Sequence, residues 1–125
     1  MALLSILVST LSHASSWNSD DWTKEKWEMK SKSITFMFNK SQSLRIDLDC
    51  FKNYNRCEAL RATRYAKKQT NDNNFGKSPY SAVCEKSTKG KVVFLKNSKG
   101  HQSSFCLFKD KSLIDTASLY VKANK

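Results

Sequence analysis

The residues of this 125-residue chain with the most chemical capacity are four cysteines, Cys50, Cys57, Cys84 and Cys106, and the histidine His101. An even cysteine count in a short exported chain reads as two disulfides. Metal ligation is the rival chemistry, but there is no Cys-x-x-Cys pair and only one histidine lies outside the apolar N-terminal stretch. That spacing departs from the usual zinc ligand sets, so no metal and no other cofactor is expected. Of the three possible connectivities, the local one is expected, Cys50 with Cys57 and Cys84 with Cys106, because each half of the chain then carries its own staple.

Nucleophilic or acid–base catalysis has little to work with. His101 stands beside Gly100, where a surface turn is the plain reading, and Ser103, Ser104 and Asp115 are too ordinary to define a triad. A ribonuclease with two catalytic histidines is excluded in the mature chain by count. Asp47 and Asp49, two residues apart on an extended strand, would stand about 7 Å from each other, superficially a glycosidase pair. They alternate with apolar residues and continue the same alternation as Arg45, which fits a solvated strand face with ion pairs better. No glycine motif cradles phosphate. No catalytic residue is assigned, and a non-enzyme is expected; the alternative is a small secreted hydrolase or a membrane-active toxin.

The disulfide reading depends on export, and the N-terminus supports it. Residues 3–11, LLSILVSTL, form an uncharged apolar run followed by Ser12-His13-Ala14, with small residues where a signal peptidase inspects the chain. Residues 1–14 are expected to be a signal peptide, and the run is far short of the ~20 apolar residues of a membrane span. The mature protein is therefore expected to be periplasmic or secreted, with no transmembrane span.

Charge is the other informative quantity. Lys and Arg number 22 against 11 Asp and Glu, a net charge of +11. Residues 15–50 hold as many acids as bases, so the whole excess lies after Cys50. Such an excess favours anionic partners. The predominance of Lys over Arg favours diffuse over base-specific contact. The sharpest candidate is Arg61, Arg64 and Lys68, spaced i, i+3 and i+7 on an expected helix from Arg56 to Lys68. They are expected to form one cationic stripe that docks on anionic envelope lipid, glycan or extracellular nucleic acid.

These side chains need elements to position them. The segment from Trp17 to Lys32, with Trp17, Trp22 and Trp27 spaced by five, reads loosely as a short helix behind Asp20 and Asp21. Ile34 to Phe38 and Leu44 to Cys50 alternate as two half-buried strands of a hairpin. Ser78-Pro79 begins a helix carrying Cys84. Val92 to Lys96 and Phe105 to Phe108 form a second hairpin around Asn97 to Gly100. Ser112-x-x-Asp115 starts a final helix. The expected fold class is α+β, two β-hairpins with packing helices in a small disulfide-stapled domain. Residues 15–68 would form a Trp-containing segment plus a hairpin-helix unit, 69–77 a linker, and 78–125 a helix-hairpin-helix unit. Phe38 precedes Cys50 by the same interval at which Phe94 precedes Cys106, which would suit two similar modules or one fused sheet.

The stretch Ser78-Pro79-Tyr80-Ser81-Ala82-Val83-Cys84, then Lys89-Gly90-Lys91-Val92, then Cys106-Leu107-Phe108-Lys109-Asp110-Lys111-Ser112 and Leu119-Tyr120 resembles a family of small exported bacterial proteins labelled hemolysins, a domain of unknown function. The family pattern has Asn-Pro-Ala, a Cys in the first helix, Gly-Gly before a strand, Cys-x-Phe-x-Asp-Gly-Ser, and a last helix bearing aromatics. Here Ser78 replaces the Asn, Lys89-Gly90 stands for Gly-Gly, and Lys111 occupies the Gly of Asp-Gly-Ser. The resemblance covers Ser78 to Lys122 and implies export, disulfides and an envelope location.

Overall fold

Strand pairing, rather than helix packing, organises the chain. The structure is a computed structural model that describes residues 21–68 and 78–124. The leader expected at 1–14, Trp17 and the linker expected at 69–77 lie outside the described residues. Strands β1 (Trp22–Met29), β2 (Lys32–Asn39) and β3 (Leu44–Asp47) form an antiparallel meander. Helices α1 (Leu48–Lys52), α2 (Glu58–Tyr65) and α3 (Pro79–Ala82) follow, the last running into a π-helical turn at Val83–Ser87. Then come the hairpin β4 (Lys91–Asn97) and β5 (Gln102–Leu107), the short β6 (Leu113–Asp115), and α4 (Thr116–Ala123).

The strands close into a barrel in the order β1-β2-β3-β6-β5-β4. β6 joins the halves by pairing with both β5 and β3, where Ile114 lies opposite Ile46. β4 closes on β1 through Trp27 opposite Asn97 and Glu28 opposite Lys96. This corrects the expected α+β class: the protein is mostly β, a closed six-stranded antiparallel barrel with short helices around it. The two hairpins exist, but each leaves edge groups that only the other can satisfy, and closure removes those edges.

Two apolar clusters explain why alternation misled. Inside the barrel, Trp27, Phe36, Leu95, Phe105 and Leu113 pack together, with Phe105 edge-on to Trp27 at 5.0 Å and tilted on Phe36 at 4.8 Å. Outside it, Trp22, Met37, Leu44, Ile46, Cys106 and Ile114 lie beneath the helices, against Cys50, Cys57, Ala59, Ala62 and Leu119. Side chains of a strand alternate between faces, so an odd spacing of five sends Trp22 and Trp27 to opposite faces of β1. The segment expected as a short N-terminal helix is instead strand β1, paired along its whole length with β2. In β3, Leu44 and Ile46 face the outer cluster while Arg45 and Asp47 face the interior, so both faces are covered.

Local chemistry sets the other boundaries. β3 ends at Asp47 rather than Cys50, because Asp47 caps α1 by accepting from Cys50 N at 3.2 Å. Asp49 is thus helical and does not share a strand face with Asp47. α2 is shorter than expected: Cys57 is its N-cap and Ala66, in extended backbone, ends it. Lys67 N then donates to Ser87 Oγ at 2.6 Å, drawing the chain away from the helix axis. The last helix is capped by Asp115, which accepts from Ala117 N at 2.9 Å, and not by Ser112.

Candidate functional site: basic surfaces of the barrel

The cysteines pair as expected from the local connectivity. Cys50–Cys57 ties α1 to the start of α2, and Cys84–Cys106 ties the turn after α3 to β5. Gly90 sits against the second bridge, where a Cβ would overlap Cys106 Sγ and approach Phe108. Among the described residues, no group of His, Cys, Asp and Glu is placed to hold a metal ion.

The segment from Cys106 to Ser112 is a clamp between the two halves of the chain. Asp110 Oδ1 accepts from Ser112 N at 3.0 Å and from Ser112 Oγ at 2.5 Å. Asp110 Oδ2 accepts from Glu58 N at 2.8 Å, and Ser112 Oγ accepts from Ala59 N at 3.0 Å. Two of the first backbone N–H groups of α2, which have no partner within the helix, are thereby satisfied. Burial would raise the Asp110 carboxyl, but the Ser112 and Glu58 donors and the nearby Arg61 charge outweigh it and hold it below the ordinary range.

Arg61, Arg64 and Lys68 are all exposed, but they do not form one helical stripe. Arg61 and Arg64 are on α2, with Arg61 near enough to Asp110 to lower its pKa. Lys68 lies beyond the helix end.

Inside the barrel is an ionic cluster that the sequence did not reveal. Arg45 Nε donates to Glu25 Oε1 at 2.7 Å, and its Nη1 pairs with Asp115. The guanidinium lies 4.1 Å from the Phe38 ring centroid and 5.6 Å from that of Trp27. Trp27 Nε1 adds a bond to Glu25 Oε1 at 3.0 Å. Burial alone would raise the Glu25 carboxyl, yet the Arg45 and Trp27 bonds lower it on balance. Burial likewise opposes the charge on Arg45, but Glu25 and Asp115 reverse that and hold its pKa above the ordinary value. Each of Glu25 and Arg45 thus favours the charged form of the other.

Turning Glu25 inward leaves Lys24 and Lys26 exposed on the outer face of β1. They line a groove of about 520 Å³ at the barrel rim with Asn97, Ser98, Lys99 and His101, and with Glu25 and Trp27 at its edge. A second groove of about 360 Å³ shares Lys26, Asn97 and Ser98 and adds Lys96, Glu28 and Ser33. The two meet along the β1–β4 seam. His101 is exposed, and its backbone N donates to Asn97 Oδ1 at 3.0 Å. It shares the groove with Ser98 and Glu25, but Glu25 is already bonded to Arg45 and Trp27. The alternating Lys24-Glu25-Lys26-Trp27 was the signal that could have revealed this face.

The opposite rim differs in charge. A groove of about 320 Å³ there is lined by Asp47 and Asp49 together with Lys32 and Lys111. Asp47 Oδ1 accepts from Leu113 N at 2.8 Å. Burial pushes the Asp47 carboxyl up despite that bond and the one from Cys50 N.

The fold and its bridges define a small disulfide-bonded antiparallel barrel, and no helix among the described residues is long and apolar enough to cross a membrane. No known family model, curated protein or solved structure matches the chain.

Proposed function

We propose that this is an exported, non-enzymatic binding module of the periplasm, cell envelope or extracellular space, which engages anionic partners through its basic surface. One observation carries the reading: folding sorts the charges by burial. Among the described residues every Lys and Arg is exposed except Arg45 and Lys122, whereas the only exposed carboxylates are Asp21, Glu28, Asp49 and Asp110. The surface is therefore more basic than the composition. Export is supported by the two disulfides, which persist in oxidising compartments.

The hemolysin-like resemblance can be read beside the backbone geometry. Lys89 and Lys111 stand where that family has glycine, and both are left-handed, with φ of 63° and 75°. That conformation favours glycine, which is compatible with a glycine at either position.

The test is salt dependence. Binding to immobilised heparin and to anionic vesicles should weaken steeply as salt rises, because each neutralised charge releases counterions. Two triple variants then locate the face: Arg61→Gln, Arg64→Gln, Lys68→Gln on the helix side, and Lys24→Gln, Lys26→Gln, Lys96→Gln on the rim. The sequence alone had Lys24 and Lys26 balanced by neighbouring acids, but Glu25 faces inward, so the rim triple should lose at least as much as the helix triple. Absence of salt-sensitive binding to every polyanion would overturn the proposal.

A further inference from the structure

The outer face around the β1–β4 seam combines two features. One is a row of cations. Lys24 and Lys26 alternate outward on β1, about 7 Å apart. Lys96 stands on the neighbouring strand opposite Glu28, and Lys99 stands in the adjoining turn. The other feature is an aromatic ring that the core does not claim: Phe94 on β4 is 60% exposed, although every other Phe among the described residues is buried or half-buried. Phe94 and Lys96 are two residues apart on one strand and so project from the same face.

Resting on the anion-binding reading above, we infer that this face binds single-stranded nucleic acid, with phosphates tracked by Lys24, Lys26, Lys96 and Lys99 and a base stacked on Phe94. The grooves share Lys26, Asn97 and Ser98 and so adjoin as a concave track along the seam, and Phe94 stands outside both, two residues from Lys96 on the same face of β4. A concave track suits an extended chain better than the flat surface of a lipid bilayer. A phenyl ring has no hydrogen-bonding group but offers a π-face, on which any base can stack, so stacking there is tolerant of sequence. Lysine, a flexible point charge, suits the same tolerance. Asn97, Ser98 and Gln102 add neutral donors beside the track without opposing its charge.

The test uses the full disulfide-bonded protein and a fluorescent oligothymidylate of about twelve nucleotides, within the ~4–16 typical of such surfaces. Anisotropy titrations over a salt series should show Phe94→Ala weakening binding about tenfold, and Phe94→Trp restoring it. The Lys24→Gln, Lys26→Gln, Lys96→Gln triple should reduce the salt slope by about 2, at ~0.7 for each lost single-strand phosphate contact. Glu28→Gln should tighten binding. Thermal melting of each variant separates a lost contact from a lost fold, and Phe94, being exposed, can be removed without opening the core. Unchanged affinity in Phe94→Ala, tighter binding of duplex than of single strand, or equal competition by dextran sulfate at matched charge would each overturn the inference. Those three results would leave the general anion-binding reading standing, whereas failure to bind any polyanion would end both.

Discussion

Glu25 and Arg45, twenty residues apart on β1 and β3, meet inside the barrel with Arg45 Nε 2.7 Å from Glu25 Oε1. The pair does two things. It gives the part-buried Arg45 a second carboxylate beside Asp115, and it turns a carboxylate away from the exposed Lys24 and Lys26. The interior ion pair and the outward Lys24 and Lys26 are therefore consequences of a single strand alternation.

Replacing Arg45 tests the first role. Arg45→Met keeps an apolar stem against Phe38 and Trp27 but leaves Glu25 and Asp115 without their cation. Breaking a fully buried pair by removing one partner costs about 3–5 kcal/mol, and this pair keeps 19% (Arg45) and 30% (Glu25) of its side-chain surface exposed, so the loss should fall below that range, about 1–3 kcal/mol. Urea denaturation should show a loss near that size at neutral pH. In the triple variant with Glu25→Gln and Asp115→Asn as well, most of it should return.

Two interior carboxylates should respond to pH with opposite sign. The folded pKa of Glu25 is lowered, so its stabilisation is present above the unfolded value of ~4.3 and lost as pH falls through the folded one. The folded pKa of Asp47 is raised, so its stabilisation is present below the unfolded value of ~3.9 and lost as pH rises through the folded one. Across the acid range, Glu25→Gln should lose ground to the native protein as pH rises, and Asp47→Asn should gain ground. Denaturation midpoints of the three proteins in a pH series decide this, and parallel curves would refute it.

Lys89 and Lys111 hold left-handed backbone, which costs a side-chain-bearing residue about 1–2 kcal/mol. Glycine removes that cost at an entropic penalty of about 0.5–1 kcal/mol. Lys89→Gly and Lys111→Gly should each stabilise by a few tenths to about 1 kcal/mol, read as a higher melting temperature. Lys86→Gly, inside the π-helical turn with ordinary dihedrals, should instead destabilise.

Gly90 and the Cys84–Cys106 bridge should be coupled. Intact mass with thiol alkylation should find four free thiols only after reduction. Loss of either bridge should cost about 2–3 kcal/mol through loop entropy, the larger share falling on Cys84–Cys106, whose sequence separation is 22 against 7. Gly90→Ala forces a Cβ into Cys106 Sγ and should cost about 1–3 kcal/mol. The same change in a Cys84→Ala, Cys106→Ala background should cost less, because the sulfur it meets is gone.

The sequence by itself determined what depends on residue count and local spacing. An even set of cysteines, with Cys57 near Cys50 and Cys84 nearer Cys106 than either is to the first pair, led to the correct bridges. Turn residues marked two of the three hairpins, β2–β3 and β4–β5 but not β1–β2, and the Ser78-Pro79 start was readable because capping is local: Ser78 Oγ accepts from Ser81 N at 3.1 Å. Only the tertiary structure decided which face of each strand is inside. An alternating strand has two faces, and the pattern Leu44-Arg45-Ile46-Asp47 shows that they differ without showing that both are covered, one by helices and one by the barrel wall. The spacing of Trp22 and Trp27 excludes a shared face in a helix and equally in a strand, so it could not choose between them. Barrel closure rests on contacts between residues far apart in sequence, Ile46 with Ile114 and Trp27 with Asn97, which no local signal encodes. Those pairings turn Glu25 inward and Lys24 and Lys26 outward, and so place the candidate surface on the rim as well as on the helix that composition had singled out.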